Sequence, residues 1–414
     1  VNPVEVGPVP AADRRQSATD LFLIFAAANI VATTMVTGAS LVPAFGAGEA
    51  LGLIVAGTLL GSALVAVLAA VGPRYGAPSV VVARAALGRN GAALLALLLF
   101  LGNFAWIALN NVIAASACAR LGTGAIGERT WSLALGLAAT AVVALGPRMV
   151  GLADRVAVPL MLVLGVVLLV RALDLPPSLL AAPGHGGMSW TRGLDVVVGY
   201  QVSWLLMFAD YSRYTPSEGR SGLAVFLGLA LTSLWFMPLG ALGALAAGSA
   251  DPGLIVSAAG PGAAGALLLA VATVTTNFVN IYLSALALKS LAPGVPSRPA
   301  VWVIGGVGTA LGLATRVWLD HYVAFMLVLG GVLVPVGGVL ASRLLRRGAV
   351  DVEALYAPRG RYAGFDRGAL LAWLSGTVAY FAAEPIGGTL PALAVGVTVG
   401  ALTAPRAAGA GRSR

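Results

Sequence analysis

Thr275 and Thr276 stand side by side inside an apolar run, with Thr273 just before them and Asn277 just after. Adjacent hydroxyls offer neutral oxygens around one point. With backbone carbonyls they form a donor set that a monovalent hard cation accepts without a carboxylate. Threonine in a membrane helix also bonds back to its own carbonyls, so the pair has a purely structural reading too. Amides form the second set: Asn29, Asn103, Asn110, Asn111, Gln201, Asn277 and Asn280 all lie within apolar runs. A carboxamide presents a donor beside an acceptor and so matches the amide edge of a planar heterocycle. Between helices it serves equally as a polar tie. Trp106 follows Asn103 by three positions, which puts indole and amide on one helix face. Trp204 follows Gln201 in the same way, one residue after Ser203. Either pair can stack on a flat ring and hydrogen-bond its edge. Trp131 and Trp190, near loop ends, suit interface anchoring better.

Other chemistries lack their residues. His185 and His321 have no acidic or histidine partner at motif spacing, and Cys118 is the only cysteine. There is no GxxxxGK[ST], HExxH or GxSxG, so ATP-driven transport, zinc hydrolysis and serine hydrolysis find no support. No cofactor is expected, and the chain reads as a non-enzyme. Asp195 and Asp210 flank one apolar run and Asp20 and Glu384 end others. With no carboxylate at the centre of a run, coupling to a metal ion, or an uncoupled carrier, is favoured over a buried proton carrier.

These residues need a frame. The chain has 414 residues, 59% of them hydrophobic and 10% charged, with mean hydropathy +0.93. A soluble protein is roughly 25% charged. The chain therefore reads as one integral membrane domain over 1–414, with lipid as its surroundings. The net charge is +9, but the arginines are spread between apolar runs, so no nucleic-acid partner is implied. Charge-free runs from 21–48 to 385–405 give twelve transmembrane helices, once Gly260-Pro261-Gly262 divides the long run 252–288. With the N-terminus inside, 20 basic residues fall on inner segments and five on outer ones. This bias places both termini in the cytoplasm of a multi-pass inner or plasma membrane protein.

The chain also resembles itself. MLVLGVVL at 161–168 recurs as MLVLGGVL at 326–333, and NFAWIALNNVIAAS at 103–116 as NFVNIYLSALALKS at 277–290. Both offsets equal five helices. An odd repeat re-enters the membrane from the opposite side, so the expected fold is all-α with a 5+5 inverted repeat, 20–172 and 192–343. Two further helices occupy 367–405. Inverted repeats belong to secondary transporters, whose first helices in each repeat are often broken at the binding site. Helix 1 carries Thr33, Thr34, Thr37, Gly38, Ser40 and Pro43; helix 6 carries Gly199, Tyr200, Gln201 and Ser203.

Several short motifs then fall in a recognisable order: Pro8-Val9-Pro10, Thr37-Gly38, ADYSRY at 209–214, TTN at 275–277 and PVGG at 335–338. With them the chain resembles the nucleobase–cation symporters of the purine/cytosine permease group, from about residue 8 to 403. The run SWLLMFADYSRY at 203–214 is most similar to the branch that transports hydroxymethylpyrimidine. The resemblance implies the 5+5 fold of sodium-coupled amino-acid symporters. It implies Na+ ligands at the carbonyls of Ala27, Ile30 and Ala272 and the hydroxyls of Thr275 and Thr276. Substrate contacts fall on Trp106, on the broken part of helix 6 with Ser203 and Trp204, and on Asn277. Two positions depart from the family's habit: Asn103 stands where Gln is frequent, and Gln201 where an aromatic is frequent. The expected function is sodium-driven import of a pyrimidine-type base or precursor, hydroxymethylpyrimidine or cytosine, by a monomer. A same-fold symporter for purine, allantoin or hydantoin, or one coupled to protons, is the alternative.

Overall fold

In a computed structural model, residues 7–121, 126–260, 262–292, 294–346 and 351–405 are described. Among them there are helices and turns and no strand, as expected where the solvent cannot satisfy a backbone and each helix must satisfy its own. The Ser17 hydroxyl accepts from the Asp20 amide, and the Asp20 carboxylate accepts from the Ser17 amide. This capping box opens α1 (Ala18–Asn29). The helix stops at Ile30, Val31 is extended (φ −139°, ψ 161°), and α2 (Ala32–Ala39) leaves at 60°. The expected break in helix 1 thus falls just ahead of Thr33, Thr34, Thr37 and Gly38, which all lie in α2.

α3 (Ala47–Ala69) and the short α4 (Gly72–Tyr75) lead to α5 (Ser79–Ala119), which breaks at Gly88. There φ is +75°, and a Cβ would meet the Gly364 carbonyl at 2.6 Å, so only glycine fits. α6 (Glu128–Ala144), α7 (Pro147–Leu173) and α8 (Pro177–Leu180) follow. α9 (Trp190–Val202) gives way at Ser203 to a tighter turn through Met207, the second expected break. α10 (Glu218–Ala247), α11 (Pro252–Ala258), α12 (Gly262–Leu291), α13 (Ser297–Gly312) and α14 (Thr315–Asp320) come next. The chain continues through α15 (Tyr322–Leu344), α16 (Val352–Tyr356), α17 (Arg367–Ala382) and α18 (Thr389–Leu402). Each charge-free run of the sequence falls on one or two of these elements. Five stretches are long and apolar enough to cross a membrane alone: α3 with α4, α5, α10, α12 and α15. The bent pair α1–α2 makes a sixth, and shorter apolar helices cover Val158–Leu173 and Thr389–Leu402.

The core is split. One buried apolar cluster gathers Leu21 and Phe25 with Leu68, Leu87, Phe208 and Leu340. A second gathers Ile30 and Met35 with Leu53, Leu109, Phe236 and Met326. The break after Asn29 lies where the two meet. Ion pairs sit at helix ends: Arg74–Glu218 and Arg120–Asp251, both 2.7 Å, Arg192–Glu384, and Arg343–Asp366 at 2.9 Å. Asp195, read in the sequence as flanking an apolar run, lies within a helix. It is buried in α9 and accepts from the Gly388 and Thr389 amides at 2.7 and 3.0 Å. Those donors open α18, where no intrahelical carbonyl is within reach and the helix dipole favours an anion. Of the basic residues used to orient the chain, Arg347, Arg406, Arg412 and Arg414 lie outside the described residues, as does Pro261.

Candidate substrate cavity

The split core and the two breaks enclose a cavity of about 380 Å³. Ala27, Ile30 and Val31 border it from the break in helix 1. Asn103, Trp106 and Asn110 face it from α5, Tyr200, Ser203 and Trp204 from the end of α9, and Thr275, Thr276 and Asn280 from α12. Its size lies in the range of small-molecule sites, roughly 300–1,000 Å³. The lining continues along Ile24, Leu99, Met207 and Leu283 toward the N-terminal end of α1. On the opposite side, Trp106 meets Tyr200 and Phe325 edge to face, with centroids 6.1 and 5.2 Å apart. The Tyr200 phenol bonds Thr34 at 2.5 Å, and Tyr322 bonds Thr37 at 2.6 Å, closing that side.

Eight of the eleven residues expected as substrate or cation contacts border this one cavity: Trp106, Asn103, Ser203, Trp204, Ala27, Ile30, Thr275 and Thr276. Gln201, Asn277 and Ala272 do not. Tyr200, Ser203 and Trp204 stand at i, i+3 and i+4 and share a face. Gln201 is about 100° away, at 3.6 residues per turn. It donates to Ser62 at 2.8 Å and accepts from Ser233 at 3.3 Å. Asn277 is turned away in the same manner. Its amide donates to the Ile107 carbonyl at 3.1 Å and to Asn111 at 2.7 Å, tying α12 to α5. The edge contacts expected of these two amides are therefore not brought to Trp106. Gln201 is a polar tie through both amide atoms, and Asn277 is one through its Nδ2, while its Oδ1 is buried without a protein partner.

The cavity has other polar groups. The Asn103 Nδ2, both amide atoms of Asn110 and the Trp204 Nε1 are buried without a protein partner. Leaving such a group unmatched costs about 1–3 kcal/mol, which a ligand carrying amide-like edges recovers. Asn110 is the residue the sequence reading passed over as a contact. The signal was its spacing, four residues after Trp106 and thus on the same face. Asn280 stands four after Thr276 in the same way.

The Thr275 and Thr276 hydroxyls donate to the Ala272 carbonyl at 2.8 and 3.1 Å. That carbonyl is already engaged, which leaves the hydroxyl lone pairs as the available oxygens. They border the same cavity as Ala27 and Ile30 at the end of α1, where the Ala27 carbonyl accepts only a long bond from the Ile30 amide, 3.3 Å. Neutral oxygens from α12 and the α1 break suit a monovalent cation. Among the described residues no group of three or more His, Cys, Asp or Glu could hold a metal.

The ADYSRY segment follows the break in helix 6. The Ala209 amide donates to Ser79 Oγ at 2.8 Å, and Ser79 in turn donates to the Asp210 carboxylate. Burial pushes the Asp210 carboxyl up, against the opposing pull of Ser79 and Arg213. Tyr211 faces the cavity, while Arg213 donates to the Tyr214 hydroxyl at 2.7 Å.

Apolar spans around a central cavity at two helix breaks are the architecture of a multi-pass membrane transporter. Residues 8–401 match the family described as permease for cytosine/purines, uracil, thiamine, allantoin, and the chain belongs to that family. It is 25% identical over 343 residues to the cytosine permease of Escherichia coli (strain K12), covering 82% of this chain and 80% of that one. It is 27% identical over 256 residues to the putative purine-cytosine permease YxlA of Bacillus subtilis (strain 168), 56% of this chain but only 52% of that protein. Its fold is that of Mhp1, a nucleobase-cation-symport-1 family transporter. The inward facing conformation of Mhp1 superposes with TM-score 0.84 at 20% identity, over 96% of this chain and 92% of the other. The closed conformation with bromovinylhydantoin bound gives 0.81, also at 20% identity, over 97% and 95%.

Proposed function

We propose that the chain is a secondary active symporter that imports a pyrimidine-type nucleobase or precursor, hydroxymethylpyrimidine or cytosine, on a sodium gradient. The observation that supports this most directly is the pairing of Trp106 with the unpartnered Asn103, Asn110 and Trp204 in one cavity. An aromatic face and amide edges are what a planar base offers in return. Thr275, Thr276, Ala27 and Ile30 supply the cation's oxygens beside it, so each ligand stabilises the conformation the other needs. In this reading Asn103, Asn110 and Asn280 take the edge role first given to Gln201 and Asn277. The twelve runs, their five-helix offset and the breaks at corresponding places in helices 1 and 6 support a 5+5 inverted repeat over 20–172 and 192–343, followed by 367–405. A substrate of the allantoin or hydantoin kind is the second reading, favoured by the bromovinylhydantoin bound in Mhp1.

Uptake into proteoliposomes tests the coupling. A sodium gradient should drive accumulation and a pH gradient alone should not. Thr276→Ala should weaken sodium-stimulated binding by about ten- to a hundredfold, if its bond to the ion resembles other charged hydrogen bonds of roughly 1.5–3 kcal/mol. Accumulation that follows pH and ignores sodium would reject sodium as the driver.

The inner membrane orientation is checked separately. In a Cys118→Ala background, a cysteine at His185 should react with an impermeant maleimide added outside, and one at Arg359 only after permeabilisation. Reaction of both from outside would overturn cytoplasmic termini.

A further inference from the structure

Four large apolar side chains on α17 face outward: Leu371 (56% exposed), Leu374 (65%), Val378 (67%) and Phe381 (47%). Their spacing of three, four and three residues makes one stripe along the helix. On a membrane protein such a stripe meets acyl chains. At the N-terminal end of α17 the chain changes character, and Arg367, four residues before Leu371, continues the stripe's face. Arg367, Arg361 and Arg359 are exposed there, and Phe365 between them is 48% exposed.

The segment carrying these groups is firmly built. The Arg89 amide donates to the Tyr362 carbonyl at 2.7 Å, and the Asn90 amide to that of Gly364 at 2.9 Å. The Asp366 amide donates to Leu87 at 2.9 Å, and its carboxylate pairs with Arg343 and caps Ala369. Positive φ at Gly360 (+131°) and Gly364 (+81°) folds the segment into a compact turn. Its one carboxylate is thus committed inward, while Arg359, Arg361 and Arg367 are exposed near the exposed Phe365, the Arg361 guanidinium lying over the Tyr362 ring at 5.6 Å.

We propose that this turn binds the headgroup of an anionic phospholipid, with its acyl chains lying along the α17 stripe. Guanidinium forks match phosphate oxygens geometrically, and an aromatic ring beside them suits the headgroup level. The stripe that begins at Leu371 decides for a lipid over a free anion, because inorganic phosphate has nothing to lay there. The inference shares with the proposed function only the premise that the chain spans a membrane. It is tested without transport, so either can fail alone.

The experiment uses the full chain in a neutral detergent. Phosphatidylglycerol, phosphatidylcholine and inorganic phosphate are added in turn, and the melting midpoint and the lipid retained in native mass spectrometry are read. Saturating phosphatidylglycerol should raise the midpoint by about 3 °C or more, as expected for a ligand well above its Kd. The combined variant Arg359→Gln/Arg361→Gln/Arg367→Gln should melt like the parent without lipid and lose more than half of that rise. Phe365→Ser should lose part of it. Arg220→Gln/Arg298→Gln, elsewhere on the chain, should keep all of it. A full rise in the triple variant, an equal rise with phosphatidylcholine, or an equal rise with phosphate alone would each overturn the proposal.

Discussion

Trp106→Ala should weaken binding of every planar base by roughly ten- to a hundredfold, taking about 1–3 kcal/mol for the lost stacking and 1.4 kcal/mol per decade. Trp106 borders the cavity and is held edge-on by Tyr200 and Phe325, so the ring is fixed in place before any ligand arrives. A pre-oriented ring loses little entropy on binding, and so its removal is felt almost in full. The loss should be uniform because every base has a face to stack. Asn110→Leu is the contrasting change. Its two unpartnered amide atoms read an edge and not a face. That variant should bind the best base about tenfold more weakly or worse and flatten the ranking among ligands. Competition by hydroxymethylpyrimidine, cytosine, uracil, adenine and allantoin measures both effects. A ranking unchanged in Asn110→Leu would remove this residue from the site. Competition by allantoin and not by either aminopyrimidine would reject the pyrimidine assignment while leaving the symporter.

Gly38→Ala should cost the fold itself. A Cβ at Gly38 would lie 1.9 Å from the Met237 carbonyl oxygen, and one at Gly240 would lie 1.9 Å from that of Met35. The two contacts are reciprocal: α2 and α10 touch backbone to backbone through this pair of glycines. Neither carbonyl belongs to a flexible side chain that could step aside, so the helices must part. Parting them opens the packing of Met35, Val36, Met237 and Leu239, all buried. Overpacking of this kind costs about 3 kcal/mol at the severe end, and every residue of the eight-residue α2 is buried. The expected result is loss of monodisperse protein in size-exclusion chromatography, or a large fall in melting midpoint, for Gly38→Ala and for Gly240→Ala. Gly52→Ala is the control, since nothing lies within 4 Å of its added methyl. It should melt at or slightly above the parent, by helix propensity alone. A Gly38→Ala protein as stable as the parent would show that the two backbones are not in contact.

Gly38 also shows where sequence reasoning stops. In the sequence it serves equally as a residue of a broken helix or of a close crossing. The structure puts it about two turns beyond the break and against Met237. The membrane character, the placement of helices and the presence of breaks in helices 1 and 6 were legible, because each follows from composition or from one-dimensional periodicity. The adjacent hydroxyls of Thr275 and Thr276 and the face shared by Asn103 and Trp106 were legible for the same reason: chain spacing alone puts them together. That Asn277 and Gln201 lie off the cavity and Asn110 on it was not legible, because the choice of face cannot be made within one helix. A buried amide bonds whichever partner the neighbouring helix presents. Asn277 meets Asn111 and the Ile107 carbonyl, and Gln201 meets Ser62 and Ser233. Asn110 meets no protein group and borders the cavity instead. Asp195 follows the same rule, since its anion is held by the first amides of a helix nearly two hundred residues further along the chain. The sequence by itself determined which residues are polar within apolar helices; only the packing of helices distant in sequence decided which of them tie the fold together and which are left unmatched for a ligand.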